Sequence, residues 1–379
     1  MKSLKEPSVA PDARPSQDRA QTAKARIGID LGGTKTEVIC LEPSGHISYQ
    51  NRFPTPRGHY PDLLEALAKA IQLADPEPDP RLMKPIGIGT PGAVSKKTGL
   101  MKNCNTTELN GQNLAADLSR LVSRDVKIAN DADCFTLSEA LDGRGQDHNC
   151  VFGVILGTGV GGGIAVNQSL LAGPNAITGE WGHNALPFDR LRPDTDFPWP
   201  RGRSCYCGQI DCIETWLSGD GVTQSYEVLT GERWTAAEIF DKPNRSEATQ
   251  KTFDQYSQLC ALALSTVINL IDPDIIVLGG GLSNTPGLCQ AVEGQWATLF
   301  FQTRSQPALP APGMVTPAAF EAQPGFGPRD LRALQSSIFF RLALRPAATF
   351  HQNRCAAGAL LKFLPIARAD VADRRRTQN

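Results

Sequence analysis

The sequence predicts an α/β protein built as two lobes. A strand, a glycine turn and a second strand occur in RIGIDLGGTKTEVICLEPSG, from Arg26. They occur again in NCVFGVILGTGVGGGIAVNQSLLAG, from Asn149, roughly 125 residues on, a weak internal repeat. A third strand, in PDIIVLGGGLSN, also runs into glycines. Helical patterns separate these units, and alternating strands and helices mark an α/β fold. A chain of 379 residues is long enough to bury two cores.

The elements follow in order. Residues 1–25 are polar and Pro- and Ala-containing, lack the apolar stretch of a secretory signal, and are expected to be disordered. Ile27 and Ile29, then Val38, Ile39 and Leu41, form the first strand pair. YPDLLEALAKAIQLA has apolar residues at helical spacing, with Pro61 near its start. PIGIGTPGAV is a short buried strand ending in a turn. NLAADLSRLVSR is a helix, DVKIANDAD a strand running into a turn, and CFTLSEALDG a helix stopped by Gly143. After the second glycine hairpin, LCALALSTVINLID is an apolar helix. These elements divide into a first lobe at 26–131 and a second at 132–300, the latter carrying a loop at 183–214. The Ala/Pro-rich stretch 301–350 has seven prolines from Pro307 to Pro346, and no regular structure is assigned to it. RCAAGALLKFL restores a helical pattern within 351–379, before a solvated tail.

A formal net charge of -1 gives no basic field for nucleic acid. No run of 18 apolar residues offers a membrane span. Without a secretory signal, the ten cysteines point to a reducing cytoplasmic setting, and the cluster Cys205, Cys207 and Cys212 to a metal rather than oxidation. C-x-C-x4-C supplies three thiolates, whereas a structural zinc takes four ligands. The nearest plausible fourth is His183, 22 residues upstream of Cys205. If one ring nitrogen binds zinc, the other carries hydrogen and can donate.

Glycine turns let backbone N–H groups approach phosphate, and three strand-to-glycine junctions suggest a phosphorylated ligand. Two familiar motifs are excluded. GTGVGG fits the dinucleotide fingerprint, and Glu180 lies about twenty residues on, but the glycines run into a strand where a helix is required. GIDLGGTKT misses the P-loop because Thr34 separates the second glycine from Lys35. In ANDAD, helix capping alone would account for Asn130 or Asp131.

GIDLGGTKT, NDADCFTLSEA, LGTGVGGG, GEWGH, CYCGQIDCIE and DPDIIVLGGG occur in that order. Together they resemble the ROK family of bacterial sugar kinases and repressors. KNCNTTELNG and GEWGHNALPF are most similar to the family's fructokinases, then its N-acetylglucosamine kinases, then its glucokinases. The resemblance implies a two-lobed actin/hexokinase-like (ribonuclease H-like) fold, with ATP and sugar in the cleft between the lobes. It implies phosphorylation of the 6-hydroxyl of D-fructose, with Asp131 as base and Asn105, Asn130, Asp131, Glu180, His183 and Glu214 on the sugar. His183, Cys205, Cys207 and Cys212 would bind structural Zn²⁺, and Asp30 would hold Mg²⁺ through water. Gly32, Gly33, Thr34 and Lys35 would cradle phosphate, as would Gly157, Thr158, Gly159, Gly161, Gly162 and Gly163. Gly279, Gly280 and Gly281 would flank the adenosine. A homodimer is also implied. A ROK repressor would carry a helix-turn-helix ahead of the body, and residues 1–25 are too few and too Pro-rich for one.

Overall fold

The computed structural model describes residues 25–296, apart from Gly45, Pro78, Pro80, Arg81, Asn105, 192–196 and 241–244, together with Leu299 and 313–318. The expected N-terminal tail, the side chain of Asn105 and the expected helix over Cys355–Leu361 lie outside the described residues.

The first sheet starts with β1 (Arg26–Leu31), β2 (Lys35–Leu41) and β3 (Ile47–Pro54), joined as an antiparallel meander. Helix α1 (Tyr60–Ala74) follows, burying Leu63, Leu67, Ala70, Ile71 and Ala74, the positions that share one helical face. Then come β4 (Ile86–Thr90), a small hairpin of β5 (Ala93–Val94) and β6 (Met101–Lys102), helix α2 (Leu114–Val122) and β7 (Val126–Asn130). The strand order is β3-β2-β1-β4-β7, with β1, β4 and β7 parallel. β4, in the parallel part, is buried at every position, whereas edge strand β3 alternates between half-buried and exposed residues.

Helix α3 (Asp131–Asp142) leaves the end of β7 directly. It begins three residues before the segment the sequence assigned to it, because the Asn130 side chain accepts hydrogen bonds from the Ala132 and Asp133 amides.

The second sheet repeats the plan. β8 (Cys150–Leu156), β9 (Val160–Val166) and β10 (Ser169–Leu170) form a meander. Helices α4 (Ile213–Leu217), α5 (Gly219–Thr230), α6 (Ala236–Phe240) and α7 (Glu247–Ile271) precede β11 (Ile275–Gly279), α8 (Leu288–Gln295) and β12 (Val315–Pro317). The order is β10-β9-β8-β11-β12, with β8, β11 and β12 parallel. Both sheets thus have a three-stranded meander extended by two parallel strands. β12 lies in the stretch that the sequence left without regular structure, and it sets buried Val315, with buried Met314 just before it, against β11.

Helix α3 sits on the second sheet through glycines. Gly153 and Gly163 are cross-strand partners in β8 and β9, and Thr136 of α3 fills the space above them. A Cβ at Gly163 would lie 2.9 Å from Thr136 Cβ and 3.0 Å from the Ala132 carbonyl oxygen. No described helix is long and apolar enough to cross a membrane.

Candidate active site

The two meanders turn at equivalent points. Between β1 and β2, the Gly32 amide donates to Lys35 O (3.1 Å), and Thr55 Oγ1 donates to Gly32 O (2.7 Å). Between β8 and β9, the Gly157 amide donates to Gly159 O (3.0 Å). The latter turn opens onto a cavity of about 790 Å³. Gly157, Thr158 and Gly281 line it, joined by Gly219 and Asp220 at the start of α5, and by Arg233, Trp234 and Phe240. The sequence pointed to the first three; the others lie more than 50 residues beyond the turn, on α5, α6 and the loop between them. The Ser-Gly-Asp-Gly that opens α5, with Ser218 capping the Gly221 amide, was the available signal.

Several of the other glycines are also closely packed. Gly161, Gly162 and Gly163 lie within β9. A Cβ at Gly162 would meet the Trp181 ring at 2.8 Å, and Trp181 Nε1 donates to Gly161 O (2.9 Å). A Cβ at Gly279 would lie 2.6 Å from the Phe135 ring. Gly280 has φ of 86° and lies against Leu156, a left-handed position that favours glycine. Of these three terminal glycines, Gly281 is the one that lines the cavity.

A line of carboxylates runs from the first sheet to the second. Burial raises the Asp30 pKa to about 7, helped by Asp131 and Glu37 and opposed by Arg52. Burial also raises Asp131, while the Ala132 amide, its own amide and Asn130 pull it down. Asp133 is raised to about 7 by burial, then by Asp131 and Glu180. Glu180 is raised by burial, lowered by His183, and raised again by Asp131 and Glu214. Acids this crowded favour partners rich in hydroxyl donors, or a cation.

Asn130 is already engaged by the protein. Its Oδ1 caps α3, and its Nδ2 donates to Gly92 O (2.9 Å), leaving one amide hydrogen for another acceptor. Asp131 is the first residue of α3, where the positive end of the helix dipole favours its charged form.

His183, Cys205, Cys207 and Cys212 bring four ligand atoms within 4.8 Å of one another. His183 Nδ1 is 3.6 Å from Cys205 Sγ, and the Cys207 and Cys212 sulfurs are 3.6 Å apart. A tetrahedral zinc with ordinary bond lengths requires edges of about 3.6–3.8 Å, so this donor set fits zinc. The outer nitrogen, His183 Nε2, faces Tyr206 Oη at 3.0 Å, with the rings edge to face. The sequence did not single out Tyr206, since nothing in the spacing of the cysteines says where the residue between them points.

The loop holding these thiols has its own scaffold. Asp211 adopts φ of 53°, and its carboxylate accepts from the amides of Gly202 (2.8 Å) and Arg203 (2.9 Å) and from Trp216 Nε1 (3.1 Å). The Arg203 guanidinium stacks 3.5 Å from the centre of the Trp216 ring and donates to Thr215 O and Gly221 O.

The ROK family sequence model matches residues 26–326. The chain belongs to the ROK family. An N-acetyl-D-glucosamine kinase of Shigella boydii is 39% identical to this ROK protein over 263 residues, covering 69% of this chain and 85% of its own. The protein of that name in Pectobacterium atrosepticum is 40% identical over 259 residues, 68% and 84% of the two chains. Among solved structures, a ROK hexokinase from Thermus thermophilus has a TM-score of 0.62 at 24% identity, covering 84% of this chain and 98% of its own. A ROK family glucokinase from Streptomyces griseus, in complex with glucose and AMPPNP, has a TM-score of 0.65 at 22% identity, with coverage of 83% and 98%. These structures establish the actin/hexokinase-like fold. These two curated relatives are N-acetyl-D-glucosamine kinases, the motifs' second choice, and so favour that reading over fructokinase.

Proposed function

We propose that this ROK sugar kinase transfers the γ-phosphoryl group of ATP to the 6-hydroxyl of N-acetyl-D-glucosamine. The observation that carries the proposal is the position of Asp131. It stands at the start of α3, electrostatically coupled to Asp30 of the first sheet and to Glu180 beside the cysteine cluster. The names of the relatives support the choice of sugar over fructose.

In this mechanism the Asp131 carboxylate accepts the hydroxyl proton as the sugar oxygen bonds to phosphorus and ADP departs. The α3 dipole and the Ala132 amide favour the carboxylate form of Asp131 and oppose the burial that raises its pKa. Glu180 and Glu214 accept hydrogen bonds from other sugar hydroxyls, and His183 Nε2 donates one once Tyr206 moves aside. The Gly157–Gly159 turn binds phosphate, and the cavity that includes Trp234 and Gly281 takes the nucleoside. Zinc on His183 Nδ1 and the three thiolates would fix the loop and the imidazole tautomer. Magnesium carried with ATP would neutralise phosphate charge, with Asp30 as the acid that faces it.

Coupled ADP release over N-acetylglucosamine, fructose, glucose and mannose tests the proposal. The highest kcat/KM is expected for N-acetylglucosamine. Fructose in first place would restore the preference suggested by the motifs. Specific operator binding without phosphorylation of any sugar would make the protein a regulator.

A further inference from the structure

We infer that Glu214, besides contacting sugar, couples the sugar side of the cleft to the phosphate turn, so that sugar tightens nucleotide binding through one carboxylate. The inference rests on the sugar-kinase proposal and adds to it.

Glu214 lies on α4, two residues after Cys212. Its Oε2 accepts from the Val160 amide at 2.9 Å, at the far end of the Gly157–Gly159 turn. The near end is held from the same segment, because the Gly219 amide donates to Gly157 O at 2.8 Å. The short stretch from Glu214 to Gly219 therefore pins both ends of the turn. Gly159 leaves room for this reach, since a Cβ there would come 2.7 Å from Glu214 Oε2. Among the described residues, no donor takes Oε1. On its other side the start of α4 is tied to the cysteine cluster, since the Ile213 amide donates to Asn184 O at 2.9 Å, next to His183.

A sugar hydroxyl donating to Oε1 orients the whole carboxylate, and with it the acceptor of the Val160 amide. Phosphate binding at the turn orients that amide in return. Coupling between two sites is reciprocal. A sugar that settles Glu214 must therefore tighten nucleotide by the same factor by which nucleotide tightens sugar.

The test measures AMPPNP affinity by calorimetry with and without the best sugar of the turnover panel. In the unaltered protein, sugar should tighten AMPPNP at least about fivefold, the lower end of ordinary allosteric coupling. E214A should bring the ratio close to one. E214Q, whose amide oxygen can still accept from Val160, should retain most of the coupling. G159A, which pushes the carboxylate aside from the turn, should lower the ratio with Glu214 still present. Exchange of the Val160 amide should slow on sugar binding in the unaltered protein and not in E214A.

An E214A protein of native stability and metal content that keeps the full ratio would overturn the inference. So would an unaltered protein that phosphorylates sugar with a ratio of one, and in that case the sugar-kinase proposal stands. A protein that phosphorylates no sugar removes that proposal and the inference together.

Discussion

Replacing Gly163 by alanine tests the glycine seat of α3. The added Cβ would lie 2.9 Å from Thr136 Cβ and 3.0 Å from Ala132 O, and neither is the free end of a flexible chain. Ordinary carbon contacts are about 3.5–4.0 Å, so the helix or the sheet must yield by several tenths of an ångström. Overpacking of this kind costs about 1–3 kcal/mol. Alanine also stiffens the unfolded chain, which offsets about 0.4–1 kcal/mol. The net loss is at most about 2.6 kcal/mol and about 1.3 kcal/mol at the middle of both ranges, or a fall in Tm of up to roughly 10 °C for a lobe of this size. Urea melts should show a lower midpoint at unchanged slope. Because Asp131 is the first residue of α3, kcat should fall while the cysteine cluster keeps its metal. T136A should relieve part of the G163A defect, giving a coupling of at least about 0.5 kcal/mol in a double-mutant cycle. A G163A protein more stable than the parent, or strict additivity with T136A, would refute this account of the packing.

Elemental analysis should find one zinc per chain, and C205S or C212S should lose it, since each removes one of four donors. D211A should destabilise the protein by roughly 1–3 kcal/mol in urea melts, because it leaves the N–H of buried Trp216 without its acceptor. Asp30 binds its proton more tightly when folded, at about 7 against 3.8. Its burial as an anion therefore destabilises the folded state at pH 8, and the penalty fades as pH falls towards about 4. Without magnesium or nucleotide, D30N should exceed the parent in stability at pH 8, and melts between pH 8 and 4 should show the margin closing.

Where a pattern is local, the sequence revealed it well. The apolar spacing of YPDLLEALAKAIQLA marks α1 over its full length, because one face carries the burial. The cysteine spacing with His183 marks a cluster that the fold brings together. Other features depend on residues far along the chain. The sequence of Gly161–Gly163 does not show that Trp181 packs over Gly162 and Thr136 over Gly163, since both partners lie 18 or more residues away. Helix α7 extends upstream of its apolar stretch to Glu247, through polar residues such as Gln250 and Asp254 that a search for apolar residues passes over. Three-residue β12, which ends in Pro317, gains its place from pairing with β11, and such short strands carry no period of their own. The Glu214 contact to Val160 spans 54 residues, and no spacing rule reaches that far.

The most direct test of the account is the D131N variant, assayed for turnover and for sugar binding on the same preparation. The amide cannot accept the hydroxyl proton, so kcat should fall by roughly 10²–10⁴ while calorimetry shows sugar affinity close to that of the parent. Turnover near the parent level in a well-folded D131N protein would contradict the account and move the base to another of the clustered acids.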